Sequence, residues 1–510
     1  MDQHGKDALL PQRRAVRPLS VIVVGAGIGG LATALAMRKA GHDVVILERR
    51  QAISEVGAGI QLAPNAARVL GRFGVLDEAM RYATVLEGVS LRRWESGEEL
   101  DLVPMVPDVE ARFGAPVAAM HRADMLRVLL DAVVAAGCEV LTGHTVVDID
   151  EQFLPLAAIP VERFPVPDTP GILVHSSDRK QIWMHADLVL AADGVNSLIR
   201  RRMALASEAG NISSQHAHQP TTAQLAYRFL LPRELLLSLT AGHDEGGGPS
   251  SLVEETLDKN QGIRVMGPGG HVMAYPLRNN TLYNVVLVRE TPRDGDANGD
   301  DSAIVTTSST PSWTTSASKE KVLEHYRGWC PLVRKLIESA PRSGILRTPM
   351  SDMPPLQTWA MGRVALVGDA CHYMFPYVAQ GAANAIEDAG VLAMAFTCTD
   401  DVELALDIYQ MVRKERGERI QNSAKETGRS VHLPDGEEQE KRDEAIRLAG
   451  KGLGNNPDQW NDRNFRDFMW GVDAWRRRST CLYDTNKMIS EERGTGTSSG
   501  RNLFASGFTA

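Results

Sequence analysis

The 510-residue chain has only five cysteines, and none forms a Cys-x-x-Cys pair. Cys138, Cys330, Cys371, Cys398 and Cys481 are scattered and odd in number. That excludes a disulfide scaffold and a zinc site of the usual spacing, and suits a reducing compartment, read as cytoplasmic. Long hydrophobic runs are missing too. The apolar run over residues 21–37 contains four glycines and falls short of the ~20 residues that span a bilayer. The polar start MDQHGKDALLPQRRAVRPLS lacks the apolar centre of a signal peptide, so no membrane anchor is expected. There is no basic excess: 55 Lys and Arg face 64 Asp and Glu, for a net charge of −9. That balance argues against nucleic acid or an anionic membrane as partner, and the scattered acidity reads as a solvated surface. No clustered His, Cys and carboxylate set points to a metal, and no internal repeat is visible.

What remains is a globular composition, 43% hydrophobic and 23% charged, long enough for two or three domain-sized bodies. An apolar β-run at 20–24, a helix over 28–40 and a second β-run at 43–48 predict one βαβ unit. A glycine-rich turn at Gly57–Gly59 precedes a helix over 62–73. Residues 86–119 read as short strands and turns, 125–136 as an amphipathic helix, and 139–150 as a strand pair or one long strand. From 151 the texture changes. Residues 155–180 are proline-rich, 207–221 and 241–262 are polar with clustered glycine, and 291–319 read as an inserted flexible loop. Alternating segments at 224–230, 272–277 and 282–289 suit a mixed sheet. A buried β-run returns at 363–367, followed by a helix over 381–396, and the tail from 440 is helical before a Gly/Ser/Thr-rich end.

Gly25-Ala26-Gly27-Ile28-Gly29-Gly30 satisfies G-x-G-x-x-G at Gly25, Gly27 and Gly30. The first glycine makes a tight turn, the second admits a pyrophosphate, the third lets helix and strand pack, and the helix N-terminus attracts phosphate. Glu48 ends the next strand 23 residues after Gly25, where an acid accepts from ribose hydroxyls. Between two strands, this pattern predicts an adenine dinucleotide site without deciding FAD against NAD. Two further apolar runs end in Asp-Gly or Gly-Asp: 187–194, ending in Asp193-Gly194, and 363–369, ending in Gly368-Asp369. Residues 376–383 then lead into a helix N-terminus, whose unpaired N–H groups can stabilise charge on a reduced flavin ring, while Asp369 can bond ribityl or ribose hydroxyls. Asp193-Gly194 taken alone reads as a plain strand-to-turn transition.

The ordered set GAGIGG, Glu48, HRAD (121–124), AADGVNS (191–197), GDACH (368–372) and QGAANAIEDA (380–389) resembles the flavoprotein aromatic hydroxylases, the group containing para-hydroxybenzoate and salicylate hydroxylases. Residues 57–65, 120–124 and 376–388 most resemble its salicylate hydroxylase-like branch, which includes fungal enzymes of aromatic polyketide tailoring. The similarity runs from about residue 20 to 430. It implies an α/β fold: a Rossmann-like FAD-binding domain (19–90, 120–200 and 345–400) with an inserted mixed β-sheet substrate domain (91–119 and 201–344). A loose leader (1–18), a helical C-terminal region (401–490) and a flexible tail (491–510) complete the expected layout. It implies Gly59 and Arg122 as FAD contacts, Arg122 near the pyrophosphate or ribityl chain; a surface ion pair of Arg122 with Asp124 is the plainer alternative. Asp193 would lie where FAD and NAD(P)H both approach, Asp369 at the ribityl region, and Gly381 and Ala382 against the flavin.

The implied cycle passes hydride from NAD(P)H to FAD and oxygen from a flavin hydroperoxide to a small phenolic or aromatic ring, in a setting such as secondary metabolism. Because that oxidant is electrophilic, the protein should supply a base or a cation that stabilises phenolate. Arg228 matches a recurrent Ala-Tyr-Arg strand of the branch, and dearomatising fungal relatives use an Arg–Tyr pair, for which Tyr275 is the partner. His271 is the rival base, and for each of the three a plain structural role on the sheet is the alternative. His372 reads as structural. Expected partners are the aromatic substrate and O₂, with the chain a monomer or homodimer. Rival functions are an FAD-dependent epoxidase of a prenylated substrate and a flavin-binding protein without oxygenase activity. An NAD-linked dehydrogenase leaves Gly368-Asp369 unexplained.

Overall fold

The computed structural model describes residues 14–15, 17–53, 58–150, 171–178, 180–207, 221–240, 259–290, 315–342 and 344–473. Most of the expected leader, Gly57, most of the proline-rich stretch, the polar stretches near 210 and 250, most of the 291–319 insertion and the C-terminal tail lie outside them. Everything below concerns the unit that ends at Val472.

The frame is a six-stranded sheet in the order Ala360–Met361, Val364–Leu366, Leu188–Ala191, Ser20–Val24, Asp43–Glu48, Glu139–Thr142. All neighbours are parallel except the Ala360–Met361 edge. Buried on both faces, the central strands read as unbroken apolar runs rather than as alternation. The helices Ile28–Ala40 and Gly381–Phe396 pack on one another, and a Cβ on Gly29 would sit 3.1 Å from that of Ala385. The expected helix at 28–40 and the helix at 381–396 both form with those bounds. Residues 139–150 form two strands, Glu139–Thr142 and Thr145–Ile149, broken at Gly143 with φ +68°. The second joins Gly171–His175 and Gln181–His185 in a separate small sheet. Within 86–119 a helix, Asp108–Phe113, accompanies the expected strands.

The second layer is an eight-stranded mixed sheet: Thr315–Ser316, Leu346–Asp352, Thr221–Pro232, Leu282–Glu290, Gly270–Leu277, Gln261–Gly267, Gly88–Arg93, Glu99–Pro104. Leu346–Asp352 belongs to this sheet although it follows residue 345, where the return to the FAD-binding body was expected. The pairing of Gln261–Gly267 with Gly88–Arg93 is parallel; every other pairing is antiparallel. Strand geometry sends alternate side chains to opposite faces. Tyr227, Phe229, Ile263, Val265, Val272, Ala274, Val285 and Leu287 point into one core, closed by the helices Lys319–His325 and Pro331–Glu338. Each buried Val, Ile, Leu or Phe among them contributes about 1.5–3 kcal/mol by leaving water. Their neighbours Arg228, Arg264, Met273, Tyr275, Val286 and Val288 point to the opposite face. That face is where the two sheets meet. A small sheet, Gly59–Leu62, Ala118–His121 and Thr84–Val85, bridges the layers, and a 30-residue helix, Val402–Val431, runs behind Gly381–Phe396.

Candidate active site

A cavity of about 910 Å³ lies between the parallel sheet and the mixed sheet, at the carboxyl ends of the parallel strands, where open α/β sheets bind ligands. Its walls include Gly25, Gly27, Glu48, Gly59, Arg122, Asp193, Asp369, Gly381 and Ala382 at one end, and Arg228, His271 and Tyr275 on the mixed sheet. Of the site residues expected from sequence, only Gly30 is not on the wall.

Each glycine of the first turn has its own reason. Gly25 has φ +100°, and a Cβ there would come 2.5 Å from the Ala192 carbonyl oxygen; at Gly30 it would come 1.9 Å from the carbonyl oxygen of Gly25. Both are packing requirements, so Gly30 shapes the turn from behind. A Cβ on Gly27 meets nothing within 4 Å, so its backbone faces open cavity where a pyrophosphate can approach. The helix Ile28–Ala40 starts at Gly27 without a side-chain cap, leaving first-turn N–H groups directed at that space. Glu48 braces the turn, accepting from the Ala26 N–H at 2.9 Å and the Arg50 N–H at 2.9 Å.

Across the cavity, Gly368 adopts φ +64° and Asp369 begins the short helix Asp369–His372. The helix Gly381–Phe396 also starts without a side-chain cap, and a Cβ on Gly381 would meet only Asp369 Oδ1, at 4.0 Å. Asp193 Oδ2 accepts from the Leu198 and Ile199 N–H groups, capping the helix Leu198–Ser207, while Oδ1 is buried without a partner. Burial raises the Asp193 pKa despite those bonds and one from Ser197. Two uncapped helix starts, an open glycine turn and a lone carboxylate oxygen fit a dinucleotide with hydroxyls and phosphates to offer.

Arg122 opens the helix Arg122–Ala135 and donates its backbone N–H to Ala58 O at 2.9 Å. Asp124 takes a two-pronged bond from Arg278, at 2.8 and 3.0 Å. Gly59 is pinned against the mixed sheet. Its N–H donates to Asn284 Oδ1 at 2.8 Å, and a Cβ would lie 2.7 Å from the Tyr275 hydroxyl oxygen.

On the mixed sheet, burial holds Tyr275 protonated well beyond an ordinary phenol, though the positive charge of Arg228 pulls the other way. Tyr373, which also lines the cavity, feels the same Arg228 charge. His271 is buried, its pKa pushed well down by burial, by His432 and by Arg264. Its Nδ1 lies 2.7 Å from His432 Nε2. Arg264 donates to Tyr377 O at 2.9 Å and forms a buried ion pair with Asp458. His432, Asp458 and Tyr373 escaped sequence reasoning.

His372 does not line the cavity. It is wholly buried and bonds Asp388 Oδ2 at 2.6 Å, the same oxygen that accepts the Gly368 N–H at 3.0 Å. Asp388 Oδ1 accepts from Arg413 Nε at 2.7 Å; Glu387 accepts from Arg413, from Arg416 at 2.8 Å and from Asn65 at 2.9 Å. This buried ion network underlies the turn that carries Asp369. Although Cys371, His372 and Asp388 converge closely enough to suggest a metal, Arg413 and Gly368 already use the carboxylate.

The fold and cavity define a flavin-type dinucleotide-binding oxidoreductase. A family model described as "FAD binding domain" matches residues 18–294 and 347–424, and the chain belongs to that family. It is 35% identical over 446 residues to the FAD-dependent monooxygenase atnJ of Arthrinium sp, covering 86% of this chain and 91% of the relative. It is 30% identical over 419 residues to 3-hydroxybenzoate 6-hydroxylase of Polaromonas naphthalenivorans, covering 81% and 88%. A solved salicylate hydroxylase substrate complex shares the fold with a TM-score of 0.67 at 22% identity, over 91% of this chain and 98% of that one. The enzyme is an FAD-dependent monooxygenase, with NAD(P)H as the co-substrate typical of its family. Among the described residues no helix is long and apolar enough to cross a membrane.

Proposed function

We propose that the enzyme hydroxylates a small phenolic ring, binding it as phenolate between the flavin end of the cavity and the inner face of the mixed sheet. The observation that carries this reading is the presence of Arg228 and Tyr275 on that face, with an electrostatic interaction between them, beside the apolar side chains of Met273, Val286 and Val288. FAD would be held by Gly27, Glu48, Arg122, Asp193, Asp369, Gly381 and Ala382. When bound and reduced by NAD(P)H it supplies activated oxygen that an electron-rich ring can attack.

The chain's own residues provide the rest. Arg228 offsets the negative charge of a phenolate, which a low-dielectric wall would otherwise disfavour. Tyr275, kept protonated by burial, donates to the phenolate oxygen, and neutral His271 accepts the phenol's proton. The apolar side chains of Met273, Val286 and Val288 help exclude water that would divert the activated oxygen. Relatives named for hydroxybenzoates support the substrate class, as fungal monooxygenases among them support a secondary-metabolite setting. The scattered cysteines, four of them free among the described residues, support a cytoplasmic location.

The test is substrate-stimulated NAD(P)H oxidation by FAD-loaded protein across phenols, hydroxybenzoates and prenylated compounds, with products read by mass spectrometry. Addition of one oxygen to a phenolic ring is expected. Epoxidation of a prenyl chain, or flavin-loaded protein that no aromatic stimulates, would overturn the assignment.

A further inference from the structure

Among the described residues, four on the cavity wall hold a positive φ: Gly25 at +100°, Gly194 at +78°, Gly368 at +64° and Ala379 at +51°. Three are glycine, which enters that region freely because it has no Cβ. Ala379 is the exception. The other non-glycine residues with positive φ, Arg278, Asn279 and Asn280, do not line the cavity. In the left-handed region a Cβ crowds the following carbonyl oxygen. A methyl group is therefore carried where the backbone favours none.

The turn explains the backbone but not the methyl. Pro376–Val378 is a single turn of 3₁₀ helix, which the Ala379 N–H closes by donating to Pro376 O at 3.1 Å. Ala379 then redirects the chain, at φ +51° and ψ +36°, into the helix Gly381–Phe396. Glycine would do that as well. Packing does not account for the side chain either, since Ala379 is only half-buried and lines the cavity. Strain kept at a cavity wall points to a use there. Beside Ala379 stand donors that the protein leaves open. No side chain caps the helix Gly381–Phe396, and Gln380 Nε2 is buried without a partner, while its Oε1 accepts from Asn65 at 3.0 Å. Asp369 Oδ1 lies 4.0 Å from where a Cβ on Gly381 would be. First-turn N–H groups with a carboxylate in reach supply the few polar partners that a bound water needs. A methyl group fills about the ~30 Å³ that one water takes in the liquid.

We infer that Ala379 sets how much activated oxygen reaches the substrate, because its methyl group takes the place of a water at the start of the helix Gly381–Phe396. The donors there are then kept for the flavin. The inference rests on the placement of FAD at Gly381 and Ala382 proposed above, and not on the phenolic substrate. Coupled turnover consumes NAD(P)H, one proton and O₂, puts one oxygen atom on the substrate and returns the other as water. Uncoupled turnover passes the same two electrons and two protons to O₂ and returns hydrogen peroxide. Water beside the flavin carries protons in that second direction. A helix start kept dry by Ala379 favours the first.

The experiment compares wild type with Ala379→Gly, each FAD-loaded, reduced with dithionite under nitrogen and mixed with oxygenated buffer. No aromatic ligand is needed. Stopped flow follows hydrogen peroxide and the return of the oxidised flavin spectrum. Ala379→Gly should release peroxide ~10-fold faster, and its oxidised flavin should show a less resolved long-wavelength band, the mark of water at the ring. The FAD-free variant should unfold within ~3 °C of wild type, because relief of strain and the added freedom of the unfolded chain oppose each other. A methyl that served folding alone would lower Tm by more and leave the band and the peroxide rate unchanged. Wild-type peroxide release, or a Tm lower by more than that margin, overturns the inference. Gly381→Val tests the placement of the flavin separately, since a Cβ there meets only Asp369 Oδ1 at 4.0 Å. It should block flavin loading. If it loads flavin with the wild-type spectrum, the placement fails and the role of Ala379 falls with it. If it blocks loading while Ala379→Gly behaves as wild type, the placement stands and the role of Ala379 alone is refuted.

Discussion

Asp388→Asn tests how the cavity is held open. Asp388 is wholly buried and takes three bonds: from Arg413 at 2.7 Å, from His372 at 2.6 Å and from the Gly368 backbone at 3.0 Å. Burial by itself would raise the carboxyl pKa, but His372 and Arg413 outweigh it and hold Asp388 at about 2; Arg416 and Arg413 do the same for Glu387. A fall from 3.8 to about 2 corresponds to roughly 2–3 kcal/mol of preferential stabilisation of the charged form. Removing one partner of a buried pair costs about 3–5 kcal/mol, because the other charges are left uncompensated. Against a total stability of ~5–15 kcal/mol, that is a large fraction. The sign follows from the depressed pKa: the contribution is complete above the unfolded value of 3.8 and is lost as pH falls through about 2. Thermal unfolding of the FAD-free protein from pH 6 downward should therefore show wild type losing stability in acid, with Asp388→Asn lower at pH 6 and flatter below. Because the same carboxylate fixes Gly368, FAD affinity should fall at least ~10-fold. A variant within ~0.5 kcal/mol of wild type at pH 6, with FAD affinity unchanged, would refute the claim that this network carries the turn.

Gly30→Ala should abolish FAD loading, measured as bound flavin per chain, because its Cβ would lie 1.9 Å from a backbone oxygen that cannot yield. Arg228→Ala should keep its flavin and lose hydroxylation by ~100-fold, read as product per NAD(P)H consumed; loss of flavin would contradict its proposed place on the substrate side. Gly417→Ala, which drives a Cβ to within 2.7 Å of the buried Trp359 ring, should cost about 1–3 kcal/mol in thermal unfolding without altering the flavin spectrum. Asp124→Asn breaks the two-pronged bond that faces Arg278, a residue held at φ +49°. With Arg278 44% exposed, the expected loss is only ~0–1 kcal/mol.

The dinucleotide half of the site was legible because its requirements are local. The turn Gly25–Gly30, Glu48 at the next strand end and the helix starts at Gly27 and Gly381 are spaced along short stretches of chain, so a one-dimensional pattern carries them. Even there the pattern blurred roles: Gly30 packs against Gly25 from behind, Gly59 makes room for Tyr275, and Asp193 caps a helix as well as facing the cavity. The ion network was less legible, though a signal existed. Glu387 and Asp388 are two acids in a helix otherwise made of Ala, Gly, Val, Leu, Ile, Met, Phe and one Asn, and acids in an apolar helix require buried partners. Which partners could not be read, because Arg413 and Arg416 sit on the next helix among many other charges.

The mixed-sheet half of the cavity depends on contacts that span the chain. His432 meets His271 across 161 positions, and Asp458 meets Arg264 across 194. Neither acceptor follows from period or spacing, since both come from the C-terminal helical region. The donors, however, leave a trace. Arg228, Arg264 and His271 each occupy an alternate position of a strand whose other members are mostly apolar, the face opposite the one that Lys319–His325 and Pro331–Glu338 cover. A strand buried on both faces tolerates a charge or an imidazole only where something answers it. Such residues therefore mark the wall of a cavity before the fold is known. What they cannot mark is the partner, which for both His271 and Arg264 arrives from the far C-terminal part of the chain.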